Sequence, residues 1–270
     1  MPEPSNTLRR RLLSPVLGRP RLQPLFETLQ KVALAGMGYG EGNDPASSGE
    51  ERALGFVQAR LGAREDVTVF DVGANVGEYA EQVLERWGSR AHLWCFEPSR
   101  ETFEMLGARL GERPGVTLEN LGLSEAEGTL VLHSRGAGSK VASVYEGRAT
   151  VWAVHQAEEV RVRTLDAYCR EREIDHIDLL KLDVEGHELS VLRGASAMLE
   201  DGSIGFIQFE MSAACVDARV FFRDYWEILS QGYSLYRIAA HGLIPIPAYQ
   251  ETLEVFRRAT NYLAERRSVR

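Results

Sequence analysis

The chain predicts an α/β domain built on a mostly parallel sheet, and three observations carry that reading. Short apolar runs rich in β-branched and aromatic residues recur from residue 66: VTVFDV (67–72), AHLWCF (91–96), VTLENL (116–121), IDLLKLDV (177–184) and IGFIQFE (204–210). Turn residues bound them, and most are followed by segments with apolar residues at helical spacing. Strands that alternate with helices in this way form parallel sheets with right-handed crossovers.

Taken in order, residues 22–33 place Leu22, Leu25, Phe26, Leu29 and Ala33 at helical spacing, and GMGYGEGNDPASSGE (36–50) reads as a loop before a second helix at 49–61. Residues 1–62 are therefore expected to form a helical extension, which with loop 134–148 serves as a lid over an acceptor site. Residues 63–270 are expected to form the main domain. After the first strand, Val76, Tyr79, Ala80, Val83, Leu84 and Trp87 mark a helix over 76–87, and Phe103, Leu106 and Leu110 another over 99–110. GTLVLH (128–133) and EVRVRTL (159–165) alternate like exposed strands around the loop. A helix at 187–200, one at 218–231, the strand YSLYRIA (233–239) and a last helix through 250–265 complete the pattern, with RRSVR as a frayed tail.

At 270 residues and 30.1 kDa, with 44% hydrophobic and 26% charged residues, the chain can bury a sizeable core. A disordered, collagen-like or disulfide-framework chain is excluded. The formal charge of −8 argues against nucleic acid or an anionic membrane as a partner. No apolar run approaches the ~18 residues of a membrane span. The opening MPEPSNTLRRRLLSPVLGRP fails as a secretory signal because Pro15, Gly18 and Arg19 interrupt its apolar stretch. Cys95, Cys169 and Cys215 are too few and too scattered for a disulfide framework or a zinc site, so a reducing cytoplasm is expected. A homodimer is left open. Lysine occurs only at 31, 140 and 181, which makes each one conspicuous.

The strongest chemical signal is VFDVGANVGEYA (69–80): a buried strand, an acid at its end, a glycine turn and the start of an amphipathic helix. Glycine lets the backbone approach a ligand, and a helix start presents free N–H groups. Glu97 ends the second strand, where an acid accepts hydrogen bonds from the hydroxyls of an adenosine ribose. The glycines are Gly73 and Gly77, with Val76 where a dinucleotide fingerprint has its third glycine. Asp71 stands two residues before Gly73, where its carboxylate would repel a pyrophosphate and attract a cationic ligand. S-adenosylmethionine (SAM), with its adenosine, ammonium and sulfonium, fits that site. A second signal, LLKLDVEGHELSVLRGA (179–195), gathers Asp183, Glu185 and His187 at the carboxyl edge of the sheet, and Glu210 ends a further strand there.

DVGANVGEYA, CFEPS, NLGLSEAEGTLVL, VRTLDAY and LLKLDVEGHELSVLRGA, in this order, resemble the FkbM-type SAM-dependent methyltransferases over roughly residues 65–210. The resemblance implies a class I methyltransferase fold, Rossmann-like, with a seven-stranded, mostly parallel sheet that ends in an antiparallel strand. It implies methyl transfer to hydroxyl groups of sugars, polyketides, other natural products or glycans. By position it places Asp71, Gly73, Ala74, Asn75 and Gly77 around the methionine moiety, and Glu97 on the ribose beside Pro98 and Ser99. Leu121, Gly122, Leu123 and Ser124 would border the adenine. Lys181, Asp183, Glu185 and His187 match the family's K-x-D-x-E-G-H-E stretch.

His187 is the expected general base, with Asp183 orienting it or the acceptor, and Glu210 as the other candidate. Asp183 also adjoins the cofactor. Asp183, Glu185, His187 and Glu210 are ligand types that suit Mg²⁺, but their spacing is not diagnostic and no metal ligand is assigned. Two alternatives are an NAD-dependent oxidoreductase and a non-catalytic SAM-binding or partner-binding module.

Overall fold

The computed structural model describes residues 14–40, 48–145, 156–256 and 258–267. The start of the chain, residues 41–47 of the loop expected at 36–50, residues 146–148 of the loop expected at 134–148, and the tail beyond Arg267 lie outside the described residues.

Two compact units divide at Met37/Gly38. The first holds helix α1 (Gln23–Gly36), with Pro24 in its opening turn, where its missing N–H costs nothing. In the second unit, helix α2 (Glu50–Leu61) buries Ala53, Leu54 and Val57 completely in the core. The segment 49–61 is therefore part of the larger unit. Tyr39 belongs to it as well, buried with the Arg237 guanidinium 4.0 Å from its ring centroid.

The strands of the second unit are β1 (Val67–Val72), β2 (Ala91–Phe96), β3 (Val116–Glu119), β4 (Gly122–Leu123), β5 (Gly128–Ser134), β6 (Gln156–Arg163), β7 (Ile177–Leu182), β8 (Ile204–Ser212), β9 (Tyr233–Ala239), β10 (Gly242–Ile246) and β11 (Ala259–Arg266). Eight of them form one sheet in the order β10-β9-β11-β8-β7-β1-β2-β3. The pairs β1–β2, β2–β3, β1–β7 and β7–β8 are parallel, and β11 runs antiparallel to both β8 and β9. This is the α/β class I architecture expected from the resemblance, with one strand more because β10 returns from β9 as an antiparallel edge.

β7 is buried at every position, as a central parallel strand must be when helices cover both faces. Successive side chains alternate between two apolar layers: Phe70, Val72, Leu180 and Leu182 enter one, Val69, Leu93, Cys95 and Leu179 the other. Helices α3 (Glu78–Trp87) and α4 (Arg100–Leu110) cover the second layer with Tyr79, Ala80, Val83, Leu106 and Leu110. Helix α5 (Leu165–Glu171) contributes Leu165 and Tyr168 to the first. β4, β6 and β5 make a separate three-stranded sheet from the strands expected to be exposed.

Two expectations are corrected. The helix expected at 187–200 is two short helices, α6 (Glu188–Arg193) and α7 (Ser196–Asp201). The break is at Gly194, whose Cβ would meet the Ser124 carbonyl oxygen at 2.0 Å, and the Asp166 carboxylate then accepts from the N–H groups of Ala197 and Met198 to start α7. Likewise, 218–231 resolves into α8 (Ala214–Ala218) and α9 (Phe222–Leu229).

The larger correction is the last helix, expected at 250–265. Only a single 3-10 turn, Glu251–Leu253, stands there, followed by strand β11. Ala, Leu, Glu and Arg favour helix, but Ala259–Ala264 is fully buried between β8 and β9, and the open edges of both strands need its hydrogen bonds. Among the described residues, no helix is long and apolar enough to cross a membrane.

Candidate active site

The strand order reverses at β1, whose neighbours are β2 and β7, and open α/β sheets bind ligands at such a reversal, beyond the carboxyl ends of the strands. A cavity of about 290 Å³ lies there. The strand-end residues Asp71, Glu97, Asp183 and Glu210 all line it, together with Gly73, Ala74, Asn75, Pro98, Gly122, Leu123, Glu185 and His187. Gly77, Ser99, Leu121 and Ser124 do not line it.

The turn after β1 owes its shape to left-handed backbone. Gly73 has φ +83°, and a Cβ there would stand 1.9 Å from the Asp183 carbonyl oxygen. Asn75, at φ +49°, is a residue type that tolerates this conformation. Its own N–H donates to Glu97 Oε2 at 3.0 Å, and the N–H of Ser99 donates to Oε1 at 2.9 Å. Glu97 is thus clasped by the two loops flanking the cavity, and burial pushes its carboxyl up to about 7 against the pull of these donors. Gly77, expected at the methionine, serves packing instead. It caps α3 in a left-handed conformation, and a Cβ there would press on Leu110 and Leu106.

Strand register builds the floor. Asp71 pairs with Lys181, and Lys181 with Gln208, which sets three polar side chains in a row across β1, β7 and β8 on one face. Lys181 is buried, 2.8 Å from Asp183 Oδ2 and 3.7 Å from Glu50 Oε1, with its ammonium 4.8 Å from the Tyr79 ring centroid. Burial alone would lower its pKa, but Asp183, Glu50 and Asp71 hold it well above the usual lysine range. Gln208 donates to Glu50 Oε1 at 2.9 Å and accepts from the Tyr79 hydroxyl at 3.2 Å.

Asp71 itself is 1% exposed, and its Oδ2 has no hydrogen-bond partner. Burial pushes it up to about 7, with Lys181 pulling the other way. A buried, half-satisfied carboxylate facing a cavity calls for a cationic or hydrogen-bond-donating ligand.

At the other end of the floor, burial would raise Asp183, but the charge and hydrogen bond of Lys181, joined by the Glu210 hydrogen bond and Lys140, together hold the group below the usual carboxylate range. Glu210 is driven far up, first by burial and then by Asp183, Glu185 and Glu188, and it shares a hydrogen bond with Asp183. The two form a carboxyl–carboxylate pair in which Glu210 holds the proton. Glu185 is pushed up to about 8 by burial and by Asp183.

The His187 ring, lowered from its ordinary pKa by burial, stands between two hydroxyls, Ser124 Oγ at 2.9 Å from Nε2 and the Tyr145 hydroxyl at 3.3 Å from Nδ1. Among the described residues, no group of three or more His, Cys, Asp or Glu is placed to hold a metal ion, so the site gives the Mg²⁺ option no support.

The loop expected to act as a lid supplies a strap, residues 139–144, of which Ser139, Lys140, Val141, Ala142 and Val144 line the cavity. The Ser139 carbonyl accepts from Asn75 Nδ2 at 2.8 Å, Lys140 pairs with Glu78 at 2.7 Å, and Ser143 Oγ donates to the Glu185 carbonyl at 2.7 Å. The strap is thereby fastened to the glycine turn at one end and to the loop after β7 at the other. Glu50 and Tyr79 escaped the sequence reading, and Lys181 had been given no role. The scarcity of lysine was the available signal for Lys140 and Lys181.

Comparison with known proteins places this site in a family. Residues 71–235 match the model of the methyltransferase FkbM domain. Hexuronic acid methyltransferase AglP of Haloferax volcanii is 30% identical over 174 residues, covering 63% of this chain and 64% of that protein. The 2-O-methyltransferase NoeI of Sinorhizobium fredii is 27% identical over 147 residues, covering 50% of this chain and 60% of that protein. The match thus spans less than two thirds of the length of either relative. A crystal structure of a methyltransferase FkbM from Methylobacillus flagellatus KT is 18% identical, with a TM-score of 0.44 over 74% of this chain and 44% of that one. The family match takes in the glycine turn, Glu97 and the KLDVEGHE stretch and covers more than half of the residues, so the chain belongs to the FkbM methyltransferase family.

Proposed function

We propose that the protein is a SAM-dependent O-methyltransferase whose acceptor is a hydroxyl of a sugar, glycan, polyketide or related natural product. The observation that carries the reading is the Asp71–Glu97 pair beside the Gly73 turn, and the residues present fit SAM. Glu97 keeps acceptor capacity for the ribose hydroxyls while two backbone N–H groups fix its orientation. The Oδ2 of Asp71 suits the ligand's positive charge, and the small residues Gly73 and Ala74 line the cavity beside it. Pro98, Gly122 and Leu123 supply an apolar wall for adenine. The name of one relative, a hexuronic acid methyltransferase, supports a sugar acceptor, and that of the other, a 2-O-methyltransferase, supports transfer to oxygen.

When bound, SAM supplies a methyl group activated by its sulfonium. The chain then has to position the acceptor oxygen, exclude water and take up a proton. The Asp183–Glu210 pair faces the cavity and is the better proton acceptor. Asp183 is held ionised by Lys181, and Glu210 already shares a proton with it. His187 reads as a positioning residue, because its two nitrogens tie the Tyr145 end of the strap to Ser124. On this reading His187→Ala lowers turnover by far less than the ~10²–10⁴ that a lost general base costs. Measurement of turnover in that variant decides the point, since a loss of the full factor returns the role of base to His187.

The affinity test uses Glu97→Ala. Two charge-assisted hydrogen bonds of ~1.5–3 kcal/mol each are lost, so calorimetry should show SAM affinity reduced at least about tenfold. Unchanged affinity places the cofactor elsewhere.

The expectation that the N-terminal segment takes part in acceptor binding is tested by truncation. Removal of residues 1–37, which spares the buried Tyr39, should keep SAM affinity and abolish methyl transfer. Normal turnover by the truncated protein assigns acceptor binding to the second unit alone.

A further inference from the structure

The cavity's charges carry information about the acceptor. Among the described residues its two lysines are both engaged: Lys181 with Asp183 at 2.8 Å, and Lys140 with Glu78 at 2.7 Å. Arginine supplies 28 of the chain's 31 basic residues, yet among the described residues no arginine lines the cavity. Sites that recognise carboxylate or phosphate use the bidentate fork of arginine or free backbone N–H groups. Here the end of the cavity away from Glu97 presents Asp183, Glu185 and Glu210 instead.

That cluster does not tolerate its own charge. Glu210 and Glu185 retain protons because burial and Asp183 disfavour a second and third anion there. A substrate carboxylate or phosphate would be a further anion in the same place, where both lysines among the described lining residues are already paired. The arrangement suits neutral hydroxyls. Asp183 accepts a hydrogen bond, while the protonated Glu210 and Glu185 both donate and accept. Leu130, Leu132, Val144 and Val160 also line the cavity and offer apolar surface to ring C–H faces. Asp71, whose Oδ2 has no partner among the described residues, adds a further buried carboxyl to the same cavity.

We propose that the acceptor is an uncharged polyhydroxylated ring, and that rings bearing a carboxylate or phosphate are excluded by the Asp183–Glu185–Glu210 cluster. This rests on the methyl-transfer reading and names its substrate class. It also separates this chain from its relative that acts on hexuronic acid.

The test needs no knowledge of the natural acceptor. Full-length protein is first saturated with S-adenosylhomocysteine, and that binding is verified by calorimetry. Saturation-transfer NMR then compares methyl glucoside with methyl glucuronide. The glucoside should give contacts, and the glucuronide should bind at least about tenfold more weakly. Glu185 is faced by Asp183 and Lys181 from the β7 side, by Glu188 on α6, and by Ser212 and Glu210 on β8. Its carboxyl is pushed up to about 8, above Asp71, Glu97 and Glu188 at about 7, and the glucuronide's own charge is constant through that range. Discrimination should therefore increase as pH rises through about 8, and the part of the increase centred there should disappear in Glu185→Gln.

Glucuronide binding equal to or tighter than that of the glucoside overturns the proposal, and so does an absence of contacts from the glucoside. A step centred near pH 8 that survives in Glu185→Gln overturns the assignment to this cluster. In each of those cases the bound S-adenosylhomocysteine leaves the methyl-donor site standing. Failure of that ligand to bind is the separate result that removes the functional reading itself.

Discussion

Replacing Asp183 by Asn is expected to lower turnover by about 10²–10⁴, or about 3–5 kcal/mol of barrier, while SAM affinity falls far less. Asparagine keeps the shape of the side chain but cannot take up the acceptor's proton. The buried Lys181 keeps Glu50 and Asp71 as counter-charges, so the variant should fold with a reduced melting temperature. The pH dependence separates this account from one in which His187 is the base. The folded pKa of Asp183 is depressed, so its stabilising contribution is present above the unfolded value of ~3.9 and lost only as pH falls through the lower folded value. Turnover at saturating SAM should accordingly stay level through the ~6.5 region where an imidazole titrates. SAM binding should behave differently. Asp71 and Glu97 are pushed up to about 7, so affinity should weaken as pH falls through that value and both carboxyls take protons. For the same reason the ligand-free protein should lose stability as pH rises from the unfolded values of ~4 towards about 7, because the folded state holds protons that the unfolded chain releases. A limb near 6.5 in turnover at saturation would restore His187 as the base.

Gly73→Ala is the second large effect. The added Cβ would stand 1.9 Å from the Asp183 carbonyl oxygen and 2.8 Å from its carbonyl carbon, and backbone at that point cannot give way like a flexible side chain. Left-handed φ at a non-glycine residue adds about 1–2 kcal/mol. Relief requires the carboxyl ends of β1 and β7 to separate, which moves Asp71 away from Lys181 and opens the cavity floor. SAM binding should be lost in calorimetry, and the melting temperature should fall by several degrees, at roughly 2–4 °C per kcal/mol for a chain of this size. Gly77→Ala serves as the comparison. It meets only the side-chain tips of Leu110 and Leu106, so it should cost stability but leave SAM binding measurable. If Gly73→Ala binds SAM normally, the glycine turn is not part of the cofactor site.

The strand-end acids were legible from sequence because a strand's carboxyl end is marked locally, by an apolar run that stops at an acid and a turn. Asp71, Glu97, Asp183 and Glu210 were found in that way, and all four line the cavity. What connects them was not legible. The row Asp71–Lys181–Gln208 exists only through the registers of β1, β7 and β8, which join residues 110 and 27 positions apart. Glu50 meets Lys181 from a segment that read as an extension, because nothing local shows that α2 packs against the sheet. Loop 134–148 was read as part of a lid over the acceptor site, but the fastening of its strap was not legible, since that lies in hydrogen bonds to Asn75 and Glu185 rather than in the loop's own pattern. β11 was misread for the opposite reason. Its local composition favours helix, and only the unpaired edges of β8 and β9 override that preference.

The central claim is that the cavity at the carboxyl edge of β1, β2 and β7 takes SAM rather than a nicotinamide dinucleotide. Calorimetric titration of the wild-type protein with SAM and, separately, with NAD⁺ tests it most directly. The free oxygen of Asp71 and the absence of a third glycine at Val76 predict saturable one-to-one binding of SAM and no heat from NAD⁺. Binding of NAD⁺ at the same site, or no binding of SAM, contradicts the account.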